Sequence, residues 1–498
     1  MMIHVIALTL AAWPVRLLDG GTIEVEIVES RPESATVDGG RLDATSEDAA
    51  IVPDTGTISG TEGEAYIDPL AIASSSECSE AWPCRTVAEG LAVAETGLRL
   101  RGGSTFAGPL SLAWERSGTP DQPFTVRAYG EGRARFETRA GQACLRRRRD
   151  VPVHDVIWSD IDCVSIDRDY TAPGFRGPIP GSADDTECVR LVGEAHGEGY
   201  TLRRFGCAYY AQGLVIHRKG TDTIYRVELD RVTMRATYPA GTGQATGLFL
   251  DGVEGVVIRD SVFDSQGGLR SIAGVAAPHI AGVDDEALRI DCYDHAMYLQ
   301  GGTVRDVLIE RVLVAHSGSV EIRSGGVLRD LVVAYGADLV TYGTGNADAV
   351  TAGGVSGSIE HAVLYAPGDY EGTPAGCSGR VKGRAIRVGN VASLDVRDVV
   401  IASSRSEAAS TQRPIILDGQ SACSAELAGL CVRDTTIERV TTYDATPPAG
   451  VEVRGAVEYL EASTRWQAGS SGDLGARIDA LIAASRRGED VDVLSVTR

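Results

Sequence analysis

Lysine is almost missing from this chain: of 47 basic residues, only Lys219 and Lys382 are lysine. Chemistry that takes a lysine as its base therefore has two candidates to draw on. Aromatic residues are scarce at 6%. No run of about 18 or more apolar residues occurs, which excludes a helical membrane span. The sequence has no glycine-rich phosphate loop, no zinc-ligand spacing among its cysteines and no G-x-S-x-G elbow. Positive charge is in deficit, with a formal net charge of -22. A phosphate backbone or an anionic lipid surface would be repelled overall, which excludes a general nucleic-acid binder. What is abundant is glycine, at 59 residues, and the 10 cysteines form an even set that suits an oxidising final environment.

Several segments separate by composition. Residues 1–28 predict a small β module, with strands at Ile3 to Leu10 and Thr22 to Val28 around a Leu-Asp-Gly-Gly turn. The apolar run from Ile3 to Trp13 has no basic residue before it and no small-x-small site after it, so it reads as an uncleaved start. Residues 29–64 are acidic and poor in periodic apolar signal, the composition of a flexible linker. The body runs from 65 to 460. It opens with Tyr66-Ile-Asp, then Cys78 to Cys84, then Arg85-Thr86-Val87-Ala88-Glu89, then Leu98-Arg-Leu-Arg-Gly-Gly103. Thr86 and Glu89 predict a capping box on a helix over 87–95 that covers the open end of a solenoid. The tail, 461–498, predicts an amphipathic helix over 473–486 that caps the stack or meets a partner helix.

Within the body one pattern recurs, an apolar anchor followed by two polar or charged residues and then apolar ones. It appears as Leu202-Arg-Arg-Phe, Leu229-Asp-Arg-Val, Ile258-Arg-Asp-Ser-Val, Ile309-Glu-Arg-Val, Leu328-Arg-Asp-Leu, Ile359-Glu-His-Ala, Val396-Arg-Asp-Val and Ile437-Glu-Arg-Val. A second short strand often follows the anchor, and self-similarity at this spacing marks a solenoid. The opening motifs and the repeats resemble the pectate-lyase-like right-handed parallel β-helix superfamily, of the polysaccharide lyase and phage tailspike type. The resemblance implies an all-β chain: a single-stranded right-handed parallel β-helix with a small N-terminal β module and a short C-terminal helix.

The cysteines test the register. Cys144 and Cys163 are spaced as Cys188 and Cys207 are, so Cys144 is expected to stack on Cys188 and Cys163 on Cys207, as disulfides or as a ladder of thiols. Cys78 with Cys84, and Cys423 with Cys431, are the expected short-loop disulfides. Insertions rich in Gly, Pro or Ser at 170–186, 236–246, 267–285, 366–381 and 404–413 are placed to wall a groove.

Aligning the second strands gives Leu214-Val-Ile-His217, Leu248-Phe-Leu-Asp251, Met297-Tyr-Leu-Gln300, Val320-Glu-Ile-Arg323 and Leu339-Val-Thr-Tyr342. Alternation turns the second and fourth residues outward. One column then holds Val215, Phe249, Tyr298, Glu321 and Val340, and its neighbour holds His217, Asp251, Gln300, Arg323 and Tyr342. His217, Phe249, Asp251, Gln300 and Glu321 are the candidate glycan contacts, against the alternative of ordinary solvated strand residues. The Asp294-His295-x-x-Tyr298 and Arg323-x-Gly-Gly326 segments are similar to stretches of bacterial and phage polysaccharide-active β-helices. For β-elimination on a uronate, Arg323 would neutralise the carboxylate, His295 or Tyr298 would take the C5 proton, and Tyr298 or Tyr342 would protonate the leaving oxygen. Hydrolysis would need a carboxyl pair, for which Asp251 and Glu321 are the best candidates. No cofactor is called for, although acidic runs at 184–187 and 284–286 leave Ca²⁺ open without matching a defined loop.

The layout also resembles virion-associated tailspikes and tail or head fibres, in which residues 1–28 would dock to other virion proteins and the β-helix would engage, and depolymerise, a host polysaccharide. The alternatives are a secreted polysaccharide lyase and a non-catalytic adhesive fibre. The expected location is the virion or the extracellular space, and the expected assembly is a homo-oligomer.

Overall fold

The computed structural model describes residues 63–497, apart from 73–75, 111–115, 140, 147–152, 174, 176–186, 194–197, 219–222, 239–244, 268–293, 337, 344–353, 367–383, 403–414, 419–431, 444–450, 455–456 and 462–472. The predicted β module, the linker up to residue 62, both lysines and Cys423 and Cys431 lie outside the described residues, while Glu64, the linker's expected last residue, already belongs to the first strand (Glu64–Ile67) and pairs with Arg99 at 2.6 Å. Helices are few and strands dominate, in one 18-stranded and one 10-stranded sheet. No described helix is long and apolar enough to cross a membrane.

Every anchor of the sequence repeat falls in one column. Trp158, Leu202, Leu229, Ile258, Ile309, Leu328, Ile359, Val396 and Ile437 stand in parallel register, coil upon coil. All are buried, so the repeat is the inner face of a parallel β-helix. A typical coil runs through Glu198–Ala208, which bends midway, and then Gln212–Arg218 in the second sheet.

The bend has a definite cause. The second residue after each anchor has positive φ, at 46° to 61°, and the column reads Asp160, Arg204, Arg231, Asp260, Arg311, Asp330, His361, Asp398, Arg439. Left-handed conformation costs a side-chain-bearing residue energy, and Asp tolerates it better than Arg does. Here the cost is offset between coils. Arg311 grips Asp260 with two bonds of 2.7 and 2.9 Å, Arg439 grips Asp398 with two of 2.6 Å, and Arg204 does the same to Asp160. The preceding residues form a second charged column, in which Arg203 meets Asp230 at 3.2 Å, Arg329 meets Glu310 at 2.8 Å and Arg397 meets Glu360 at 2.8 Å. Burial opposes ionisation of Asp160, Glu310 and Glu360, yet Arg204 with Ser159, Arg329 with Arg311, and Ser358 with Arg397 outweigh it and hold the three carboxyls below the usual range.

At the N-terminal end, helix α1 (Val87–Val93) forms with the expected capping box, as Thr86 Oγ1 accepts from Glu89 N–H at 3.2 Å and the Glu89 carboxylate accepts from Thr86 N–H at 2.9 Å. Gly90 lets it settle on the first strand, because a Cβ there would lie 2.7 Å from Ile67 Cδ1. At the other end of the sequence, helix α2 (Leu474–Arg486) does not cap the stack. Leu474, Ile478 and Ile482 bury against Val262, Leu313, Val332 and Val363, so the helix clamps the side of several coils. The clamp carries a buried ion group: Arg486 donates to Asp264 at 2.6 and 3.1 Å, and His316 Nδ1 lies 2.9 Å from the same carboxylate.

The cysteines stack as expected, with Cys163 in register with Cys207, and Cys144 and Cys188 preceding the paired Leu145 and Val189. The bonds run elsewhere, however. Cys144 joins Cys163 and Cys188 joins Cys207 within their own coils, with Cα separations of 6.0 and 6.1 Å. In-register neighbours project side by side, whereas inward thiols from two sheets of one coil meet across the interior. Cys78 pairs with Cys84 as predicted. All six sulfur-bearing residues are buried, which denies reductant access. Native protein in excess dithiothreitol is expected to resist alkylation at these cysteines until denaturant is added, and labelling without denaturant would contradict this packing.

Candidate functional site

The ten-stranded sheet carries the predicted columns. Val215, Phe249, Tyr298 and Glu321 are in register, as expected, but the next member is Thr341 and not Val340. The expected alignment slips by one residue at Leu339, and in a strand a slip of one exchanges the faces. Tyr342 therefore points inward. It is fully buried, stacked on Ile322, and its hydroxyl donates to Gly326 O at 2.7 Å. Burial pushes its phenol up, and it has no access to a glycan.

Three candidates converge around Tyr298. His295, three residues earlier where the pairing register with the next coil shifts, brings its ring to a centroid distance of 5.1 Å from that of Tyr298. The Phe249 ring stacks on Tyr298 from the preceding coil at 5.5 Å, and the Arg323 guanidinium covers it from the following coil at 4.5 Å. The ring faces are thus occupied, so Tyr298 cannot stack on a sugar; it presents its edge and hydroxyl. That hydroxyl has no hydrogen-bond partner among the described residues, and the side chain is half-buried. Burial pushes the phenol above its usual range, with Arg323 pulling it down and Glu321 and Asp251 pushing it further up.

The other groups are tied to one another. His295 Nδ1 lies 2.7 Å from Ser319 Oγ, and Nε2 lies 3.4 Å from the Glu321 carboxylate. Glu321 also accepts from Arg323, whose side chain is only 12% exposed, so Arg323 is a charge shared with a neighbour and not a free cation in solvent. Asp251 accepts from Thr303 at 2.6 Å. It stands two coils from Glu321, about 10 Å between backbones at the strand spacing, at the far limit of the carboxyl separations of glycoside hydrolysis. His217 pairs in register with Asp251 and rests against its neighbour's carbonyl at 3.1 Å. Gln300 is half-exposed beyond the strand. Ser319 and Thr303, which orient His295 and Asp251, escaped sequence reasoning because their roles depend on the neighbouring coil.

All five predicted insertions fall at one place. Each lies between a strand of the large sheet and the following strand of the ten-stranded sheet, for example between Val262–Gln266 and His295–Leu299, or between Val391–Ala402 and Ile415–Asp418. Among the described residues no group of three metal-binding side chains occurs, and Glu187 of the first acidic run pairs with Arg190 at 2.5 Å. The rest of the acidic runs lies outside the described residues.

These pairings define the class: an all-parallel β-helix. Solved structures similar to it include a rhamnogalacturonan lyase (11% identity, 81% of this chain and 86% of that one, TM-score 0.37). An alginate lyase from Paenibacillus sp. str. FPU-7 is another (14%, 82% and 96%, 0.38), as is the A-module of a mannuronan C-5 epimerase from Azotobacter vinelandii (9%, 81% and 100%, 0.33). No protein-family model matches the sequence, and no curated protein matches it.

Proposed function

We propose that this protein is a right-handed β-helix lyase that binds a uronate-containing polysaccharide along the outer face of its ten-stranded sheet and cleaves it by β-elimination. The observation that carries the reading is Tyr298: a phenol at the centre of a strand face, its ring fixed on two sides and its hydroxyl unbonded among the described residues. A proton-transfer group needs that combination of fixed position and open valence. Right-handed winding follows from the hand of parallel crossovers. The buried disulfides fit an extracellular protein. The docking role of residues 1–28 falls outside the described residues.

The test is incubation with a panel of acidic and neutral glycans, followed by measurement of unsaturated-uronate absorbance, new reducing ends and binding. Unsaturated ends from an acidic glycan support the lyase. Reducing ends without unsaturation would replace it with a hydrolase, and binding without cleavage with an adhesin.

A further inference from the structure

Elimination needs a base for the C5 proton and an acid for the O4 leaving oxygen, and two groups commonly share the task. The described face supplies no such pair. Tyr342, the expected acid, is inside the coil. His295 is held at both ring nitrogens, Glu321 is held by His295 and Arg323, and Asp251 by Thr303. Tyr298 remains, reaching the sugar from one side.

Resting on the lyase reading, we propose that Tyr298 serves as both base and acid, so that the reaction is a syn elimination and the substrate is a uronate whose H5 and O4 lie on the same side of the ring. The atoms balance on one oxygen. The phenolate takes H5, the C5–H electron pair forms the C4=C5 bond, the C4–O4 bond breaks, and the departing O4 takes the proton back from the phenol. The phenolate is regenerated and no co-reactant is consumed. A single group cannot reach both faces of a ring it touches from one side, so H5 and O4 must be cis.

That requirement divides the 1,4-linked uronates by configuration. In D-mannuronate and D-glucuronate H5 and O4 are cis. In D-galacturonate, L-guluronate and L-iduronate they are trans. The site thus fits manno- or gluco-configured chains. Arg323 lies over the ring where it favours the phenolate, while Glu321 and Asp251 oppose it and His295 stands alongside. The reactive ion is then a minority species at neutral pH, and the rate should climb about tenfold per pH unit toward alkaline pH.

The experiment presents the full chain with polymannuronate, polyglucuronate, polyguluronate and polygalacturonate, and follows unsaturated ends against pH. Cleavage of either of the first two and neither of the last two, rising with pH, is the expected result. Cleavage of polyguluronate or polygalacturonate, or a rate that peaks at or below neutral pH, overturns the single-phenol mechanism and leaves the lyase standing. Unsaturated ends from no polymer overturn both.

Discussion

Tyr298→Phe is expected to lower the rate of β-elimination by about 10²- to 10⁴-fold, the range over which a positioned acid or base contributes. The substitution removes one oxygen and keeps the ring, so the stack of Phe249, Tyr298 and Arg323 has no reason to change. The hydroxyl makes no hydrogen bond among the described residues, so its removal leaves no orphaned partner there and thermal stability should hold. Glycan binding, read by affinity electrophoresis, should fall little. The informative outcome is the split between lost turnover and kept binding. Turnover within a few-fold of wild type would move the chemistry off this face and toward the connections at its edge. Arg323→Ala is a poorer probe, because it strips Glu321 of its strongest partner and disturbs charge and packing together.

The second large effect lies far from the glycan face. Asp264→Asn should destabilise the protein by about 3–5 kcal/mol, the usual cost of leaving one member of a buried ion pair without its counterpart. Asp264 is 3% exposed and faces Arg486 and His316, while Arg486 comes from the helix that clamps the coils. Urea titration should show the loss, and limited proteolysis should show the C-terminal segment released first. An unchanged midpoint with an uncleaved tail would mean that the apolar contacts of Ile478 and Ile482 hold the clamp alone. The sign with pH follows from the same contacts. Burial opposes ionisation of Asp264, but His316 and Arg486 hold its carboxyl far below the ordinary range. A depressed carboxyl gives stability that is complete above its unfolded value, near pH 4, and is lost only as pH falls through the native one. The clamp should therefore hold in mildly acidic media.

The fold was legible because burial repeats. Leu202, Leu229, Ile258 and their successors had to share an environment, and a shared environment recurring at coil spacing admits few architectures. The site was legible only as far as the alignment was. Leu214, Leu248, Met297 and Val320 each begin an inward-outward alternation, but the run from Leu339 to Tyr342 offers three residues that suit an interior, and its hydrophobic pattern fits two registers. The neighbouring strand settles the choice, and with it the inward turn of Tyr342. The disulfides show a similar limit. Equal spacing in sequence established that Cys163 lies beside Cys207, but not that each thiol aims across its coil. The tethering of Arg323 and His295 likewise depends on side-chain directions that no linear pattern encodes.

The charged corners carry a consequence for how the chain finds its own order. Along the column Arg203, Asp230, Arg259, Glu310, Arg329, Glu360, Arg397, Glu438, sign alternates at every step, and from Asp260 to Asp330 and from Asp398 to Arg439 the adjoining column alternates in antiphase. The corner is thus a checkerboard. Each square on the surface is worth little by itself, roughly 0–1 kcal/mol. Order matters to the pairing, though: with coils in sequence every contact along the first column joins opposite signs, and with one coil skipped the two coils brought together would join like signs. Apolar anchors that are nearly interchangeable cannot count coils, since Ile309 would sit on Leu229 as readily as on Ile258. The corner does the counting, much as a check digit exposes a dropped character in a string of similar ones.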